Sequence, residues 1–188
     1  VLNRLADEFG YLPIRENGRA IALQRGSRMI SLEPGGQIEL SAEPIRNLHQ
    51  AMSQLEQFFF ELRTVATMLG QVAWLAVGIH PFSSVRKIAW VPKRRYQIMA
   101  KYLGRRGAKA HDMMKRTATN QINFDYASEE DAIDKMRLVL ALTPIAAAMF
   151  ANSSFSQGSL SGFASERVHV WRHTDPDRCG LILKLICE

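Results

Sequence analysis

From Pro44 onward, Ile45, Leu48, Met52, Leu55, Phe58 or Phe59, Leu62, Val65 and Leu69 recur every three or four residues, and the pattern stops at Gly70. Only an α-helix gathers such positions into one apolar stripe. A helix of that length must lay its stripe against a surface that is also apolar, and the residues ahead of it supply one. Ala20 to Leu23, Met29 to Leu32 and Gln37 to Leu40 read as short strands. Gln24-Arg25-Gly26-Ser27 and Pro34-Gly35-Gly36 separate them, and such short turn-rich connections impose antiparallel pairing. Leu2, Leu5, Ala6 and Phe9 sit at helical spacing before a Glu16-Asn17-Gly18 turn, so a helix leads into a hairpin.

Further along, the apolar run Val72 to Ile79 is predicted as a buried strand stopped by His80-Pro81. Pro92 is well placed to start a helix running to about Leu103. Thr117 to Tyr126 alternates, with Ile122, Phe124 and Tyr126 on one side and Thr119, Gln121, Asn123 and Asp125 on the other, which predicts a strand with one polar face. Ser128 with Asp131 three residues on opens a second long helix to Phe150, where Pro144 is expected to kink or end the first half. Asn152 to Gly162 reads as loop, Arg167 to Trp171 as a short strand and Thr174 to Gly180 as a turn. The fold class is therefore α+β, a mainly antiparallel sheet backed by helices.

The 188 residues, 47% of them hydrophobic, suffice for one core. No run approaches the roughly 18 uninterrupted apolar residues of a membrane span, so no membrane partner is expected. A net charge of +6 fits either a phosphate backbone or a site that gathers small anions. The basic clusters at Lys93 to Arg95 and Arg105 to Lys109 lack interleaved aromatics, and no nucleic-acid motif accompanies them. Cys179 and Cys187 have neither metal-site spacing nor partners for a disulfide framework, which reads as two reduced thiols in a cytoplasmic protein. The first residue is not Met and no leader pattern precedes Asp7, so the numbering is expected to begin inside a longer chain or after a removed initiator.

Several polar residues stand where apolar ones would be easier to bury. Glu33, Gln37 and Glu39 form one set and Thr119, Gln121 and Asn123 another, each at a spacing that aims side chains at one sheet face. Carboxylates there can hold a hard cation against phosphates, and amides and hydroxyls can orient a substrate. On residue types alone a solvated sheet face is the simpler explanation. Arg116, Arg167 and Arg178 are suited to bidentate pairing with carboxylate or phosphate, though each taken singly also fits a surface cation or a structural ion pair. His49 and His111 have no second ligand at metal spacing and are assigned structural roles. Pro34-Gly35-Gly36 could bring backbone close to a phosphate, but it matches no phosphate-loop pattern and is read as a turn.

In order along the chain, Ser31-Leu32-Glu33-Pro34-Gly35-Gly36-Gln37-Ile38-Glu39-Leu40-Ser41, Pro92-Lys93-Arg94-Arg95-Tyr96, Asp112-Met113-Met114-Lys115-Arg116-Thr117, Gln121-Ile122-Asn123 and Phe150-Ala151-Asn152-Ser153 resemble the plant-type glutamate-cysteine ligases of plants and many proteobacteria. The resemblance continues through Gly162-Phe163, Ser165, Arg167, His169 and Trp171 to Asp175, Asp177 and Arg178. It implies a glutamine-synthetase-like catalytic domain whose antiparallel sheet forms a funnel for ATP, magnesium, glutamate and cysteine. By the same resemblance Glu39 is a catalytic and metal-binding carboxylate assisted by Glu33, and Arg167 is catalytic. Gln37, Arg116, Thr119, Gln121, Asn123, Asn152, Ser153, Trp171 and Arg178 are then expected to bind substrate or nucleotide in a monomer or homodimer that takes no nucleic acid.

Three departures from the family pattern stand out. The Gly-x-Glu-x-Glu strand with which family members begin has no counterpart after Val1, and Leu181 to Glu188 replaces a Leu-Pro-Phe type segment, so residues 1–188 read as a partial catalytic domain with little activity alone. The family cysteine of the Arg-Thr-x-Thr segment is Ala118, and no cysteine lies near His49, so the disulfides of the plant enzymes have no basis here. Two alternatives remain at this level: a related carboxylate-amine ligase with another acceptor, and a non-catalytic basic domain that binds nucleic acid.

Overall fold

The computed structural model describes residues 1–180, and the expectation for the tail at Leu181 to Glu188, Cys187 included, lies outside the described residues. The order of elements is α1 (Leu2–Phe9), β1 (Leu12–Glu16), β2 (Arg19–Arg25), β3 (Arg28–Leu32), β4 (Ile38–Ser41), α2 (Leu48–Leu69), α3 (Arg94–Leu103), α4 (Ala110–Arg116), α5 (Glu129–Met149), β5 (Phe155–Ser156), β6 (Ser159–Leu160) and α6 (Glu166–Arg172). A four-stranded antiparallel sheet and six helices among the described residues make the chain α+β, as its pattern predicts. It divides into two compact units: residues 1–76 with 89–97, and residues 77–88 with 98 onward.

In the first unit the strands follow one another as a meander, β1-β2-β3-β4. Leu23 pairs with Ile30 and Ile30 with Leu40, so these side chains share one face. Leu23 and Ile30 join Leu2 and Leu5 of α1, Tyr11, and Phe58, Leu62 and Val65 of α2 in one buried cluster. Of the stripe that defined α2 from sequence, Phe58, Leu62 and Val65 meet the sheet, while Leu48, Met52 and Leu69 stay exposed. Asn47 caps α2 by accepting from the Gln50 N–H at 3.0 Å, and Gly70, at φ 69°, ends it in the left-handed conformation that favours glycine.

One acid interrupts that stripe. Glu61 is fully buried and accepts from the Tyr11 hydroxyl at 2.7 Å, the Arg25 guanidinium at 2.9 Å and the Gln57 amide at 3.0 Å, with Arg28 at 3.3 Å. Tyr11, Arg25 and Arg28 thus tie α2 to the sheet through hydrogen bonds and charge as well as through packing.

In the second unit α4 packs against α6. Gly107 stands where no side chain fits, because a Cβ there would lie 2.3 Å from the Thr174 carbonyl oxygen. The neighbouring Lys109 N–H donates to the His173 carbonyl at 3.0 Å, so this loop is pinned backbone to backbone against the end of α6.

Three predicted strands are absent. Among the described residues Val72 to Ile79 pairs only through the bridge between Ile79 and Thr117 and the Ala118 N–H bond to the Gly78 carbonyl, and its apolar character is partly used by Trp74, which packs on the first unit's core and donates to the Leu62 carbonyl at 2.9 Å. Arg167 to Trp171 is helical: the Ser165 hydroxyl accepts from the Val168 N–H, and Glu166 and Val170 become the buried i, i+4 pair that β-branched composition had disguised. Thr117 to Tyr126 has the alternation of a strand but no partner strand among the described residues, and Ile122, Phe124 and Tyr126 remain exposed. Pro144 does not end α5, which runs through it to Met149. Strands β1, β5 and β6 and helix α4 were not singled out from sequence, being short or lacking a clear apolar period.

Candidate functional site

In the first unit, the sheet face turned away from the core cluster carries Ala22, Ser31 and Glu39, which pair across three strands. Alternation puts Glu33 and Gln37 on the same side, so the three polar residues grouped by spacing do share a face. Between them Glu33 closes a tight turn: its carbonyl accepts from the Gly36 N–H at 2.8 Å and its N–H donates to the Gln37 carbonyl at 2.8 Å. Gly36 takes φ 88°, which explains a glycine there. The Gly35 N–H is occupied by the Gln37 side-chain oxygen at 2.8 Å, so this turn spends its amides internally and leaves no phosphate cradle.

The segment 91–97 brings three further groups to the turn. Tyr96 is buried, and its hydroxyl lies 3.1 Å from a Glu33 carboxylate oxygen and 3.0 Å from the Leu32 carbonyl, while it accepts from Arg95 at 2.8 Å. Lys93 donates to the Leu32 carbonyl at 2.6 Å, and Arg95 pairs with Glu33 at 3.5 Å. Partial burial, then the Glu33 charge, raise the Glu39 carboxyl above its ordinary value, with Arg95 and Lys93 pulling it down. Burial and the adjacent Arg95 lower the Lys93 ammonium, and burial pushes the Tyr96 phenol up to about 12. Two carboxylates and two cations thus sit within mutual electrostatic reach. Sequence reasoning assigned no site role to Lys93, Arg95 or Tyr96; the signal was the Pro92-Lys93-Arg94-Arg95-Tyr96 segment itself, basic and aromatic at the start of a helix.

Glu39 keeps its carboxylate exposed, with Glu33 close enough to raise its proton affinity. That suits a hard divalent ion, which takes one or two protein carboxylates and completes its shell with water and phosphate. No group of three acidic, histidine or cysteine side chains able to cage a metal exists among the described residues.

In the second unit a different set converges. Asn152 accepts from the Gly78 N–H at 3.2 Å, and a Cβ on Gly78 would lie 2.9 Å from that same oxygen. Buried Ser153 donates its hydroxyl towards Ser165 at 3.4 Å and accepts from the Arg167 N–H at 3.2 Å. Asn152, Ser153 and Arg167 are therefore assembled at the start of α6, with Trp171 one turn on and its ring 5.9 Å from the Arg167 guanidinium. The Arg167 Nε is buried without a hydrogen-bond partner, and burial alone lowers this guanidinium.

Arg116 is fully buried, donating to Asp112 at 2.6 Å, to the His80 carbonyl at 3.1 Å and to the Ser156 hydroxyl at 2.8 Å. Arg178 is exposed and bonded to Asp175 at 2.6 Å, where Arg106 also pairs with both Asp175 and Asp177. Thr119, Gln121 and Asn123 lie exposed on the unpaired segment after α4.

The match of residues 7–187 to the family described as Glutamate-cysteine ligase family 2 decides the relationship. The chain belongs to that family. Among its relatives, the chloroplastic glutamate–cysteine ligase of Medicago truncatula is 43% identical over 182 residues, which is 97% of this chain and 36% of that protein. Those of Brassica juncea and Arabidopsis thaliana are 42% identical over the same share of this chain and 35% of their own length. The chain spans about a third of the length of the curated relatives it matches. Their chloroplastic names overturn the cytoplasmic location expected from the cysteines. The reason is physical: compartment is addressed by a separate leader, which leaves no mark on the residues that fold.

Proposed function

We propose that this chain supplies part of the catalytic domain of a plastid glutamate-cysteine ligase with a glutamine-synthetase-like funnel, joining the glutamate side-chain carboxylate to the amine of cysteine. The observation that carries the reading is the presence, within one family member, of two neighbouring carboxylates at Glu39 and Glu33 and of a partly buried arginine, Arg167, whose Nε has no hydrogen-bond partner. A nucleotide-driven ligation needs both signs of charge, because the anions it brings together repel one another.

In this reading ATP is the co-substrate. A glutamate carboxylate oxygen attacks the terminal phosphorus and ADP departs; the cysteine amine then attacks the resulting acyl phosphate, and phosphate leaves as the amide bond forms. Magnesium, held by Glu39 with Glu33, would neutralise phosphate charge. Arg167 binds a carboxylate or phosphate oxygen, Asn152 and Ser153 fix the backbone that presents it, and Trp171 packs beside its guanidinium. Arg95 and Lys93 offset phosphate charge at the carboxylate centre, and Arg178 binds an outer anion. Arg116 is a positioning residue that holds β5–β6 through Ser156, and Gln37 stiffens the turn before Glu39. Positioning and charge neutralisation supply the rate, since no side-chain nucleophile is required.

The test replaces the matched 182 residues of the Medicago truncatula ligase with this chain and measures ADP release that requires both glutamate and cysteine. Glu39→Gln and Arg167→Met should each lower kcat/KM by roughly a hundredfold or more, the scale of losing one preorganised charge. Robust turnover by the 188 residues alone, or unchanged kinetics in both variants, would refute the proposal. Replacing cysteine with other amines in the same assay separates this acceptor from that of a related carboxylate-amine ligase.

A further inference from the structure

Tyr96 is only 2% exposed, and a buried phenol has to find a partner for its hydroxyl. The hydroxyl lies 3.1 Å from Glu33 Oε1 and 3.0 Å from the Leu32 carbonyl, and it accepts from Arg95 at 2.8 Å. Lys93 already donates to that carbonyl at 2.6 Å, and a carboxylate is the stronger acceptor, so the single phenolic proton belongs to Glu33. The phenol cannot drift from this place, because α3 is tethered at its first residue: the Arg94 N–H donates to the Glu16 carboxylate at 2.7 Å.

Two more groups meet the same oxygen of Glu33, the Ser31 hydroxyl at 3.4 Å and the Arg95 guanidinium at 3.5 Å. Among the described residues no hydrogen-bond partner meets Oε2. One oxygen is thus held from three sides, and the side chain stays 26% exposed, which leaves Oε2 as the oxygen a ligand can take. Ser31 pairs with Glu39 across β3 and β4, so the hydroxyl that helps to hold Glu33 stands beside the other carboxylate of the centre. How a carboxylate is held decides which divalent ion it suits. Calcium takes about six to eight oxygens in a loose shell and accepts both oxygens of one carboxylate. Magnesium and manganese take about six at nearly octahedral angles, and the narrow bite of a single carboxylate does not span an octahedral edge.

We infer that Tyr96 is a positioning residue that sets the ion preference of this centre: by holding Glu33 Oε1 it limits Glu33 to one free oxygen, which favours a small octahedral divalent ion over calcium. The inference rests on the ligase reading and deepens it, since Glu33 and Glu39 are the metal carboxylates of that reading. Tyr96 rather than Arg95 carries the role, because its contact is the shorter and it is buried, whereas the Arg95 side chain is 63% exposed and can swing away.

Tyr96→Phe keeps the ring and removes only the hydroxyl. In the Medicago truncatula ligase carrying this chain in place of its matched residues, the spin resonance of free Mn2+, with Ca2+ as competitor, gives the ratio of the two affinities. The variant should shift that ratio towards Ca2+ by about tenfold, the lower end of what losing an outer partner costs a metal site. A merely structural tyrosine would weaken both ions alike, so an unchanged ratio overturns the inference, as does Mn2+ binding indifferent to Glu33→Gln. If the hybrid fails to fold, the 188-residue chain decides by nuclear magnetic resonance. The side-chain couplings of Glu33 should report one rotamer, and Tyr96→Phe should average them; averaging in the unchanged chain, or none in the variant, overturns the inference. ADP release in the hybrid keeps the two readings apart. A shifted ratio without release dependent on glutamate and cysteine would sink the proposed function and leave this inference standing, and such release with an unshifted ratio would do the reverse.

Discussion

Replacing Glu61 with alanine should be the most costly single change in the first unit, and the arrangement around it says by how much. Glu61 is 0% exposed, and the Arg28 side chain beside it is only 8% exposed, with its Nε and one terminal nitrogen lacking hydrogen-bond partners. Removing the carboxylate strands that guanidinium in a low-dielectric site and leaves the Tyr11 hydroxyl unpaired, whereas Arg25, 38% exposed, can turn to water. Breaking a buried pair by deleting one partner costs about 3–5 kcal/mol. Whole domains are stable by about 5–15 kcal/mol, so this loss is a large share. With a urea slope of about 2 kcal/mol per molar, the midpoint should fall by roughly 2 M. Trp74 fluorescence reports it, since that indole packs on the same core and bonds to α2. Converting both ends to apolar residues, Glu61→Leu with Arg28→Met, should recover most of the loss, because no charge is then left behind. A loss under about 1 kcal/mol for Glu61→Ala, or a double variant no better than the single, would refute the view that the stranded charge sets the cost.

Arg167→Met should leave urea stability unchanged or raise it by about 1 kcal/mol, because a buried donor without a partner is relieved; a drop of that size would show that the guanidinium is already satisfied. For Glu39, burial and Glu33 raise the folded-state carboxyl above the ordinary 4.5, so its contribution to stability is complete while it is protonated and is lost as pH rises through the folded value. Glu39→Gln should therefore gain on the unchanged protein as pH rises above the ordinary carboxylate value in paired urea titrations, and a relative loss there would contradict the sign. Gly107→Ala should destabilise the second unit by about 2 kcal/mol or more, as overpacking against backbone that cannot yield does, with melting followed by Trp171 fluorescence; an unshifted transition would mean that the loop can retreat from Thr174.

The sequence by itself determined the elements whose signal is local: α1, the three strands β2 to β4, α2 with its glycine stop, α3 to Leu103, α5 with its Ser128 cap, and the α+β class. It also determined the shared face of Glu33, Gln37 and Glu39, because alternation along a hairpin is fixed by the pleat and by the turn that sets the register. Tertiary structure alone decided the rest. Val72 to Ile79 and Thr117 to Tyr126 carry strand-like patterns, yet a strand exists only where another chain segment meets its backbone, and a pattern names no partner. Arg167 to Trp171 looks extended by residue type but folds as a helix, since the Ser165 cap and burial of Glu166 and Val170 outweigh weak propensity. The gathering of Lys93, Arg95 and Tyr96 around Glu33, some sixty residues away, and the burial of Glu61 among two arginines were likewise settled by packing, because electrostatic partners are chosen by distance in space and sequence records only distance along the chain.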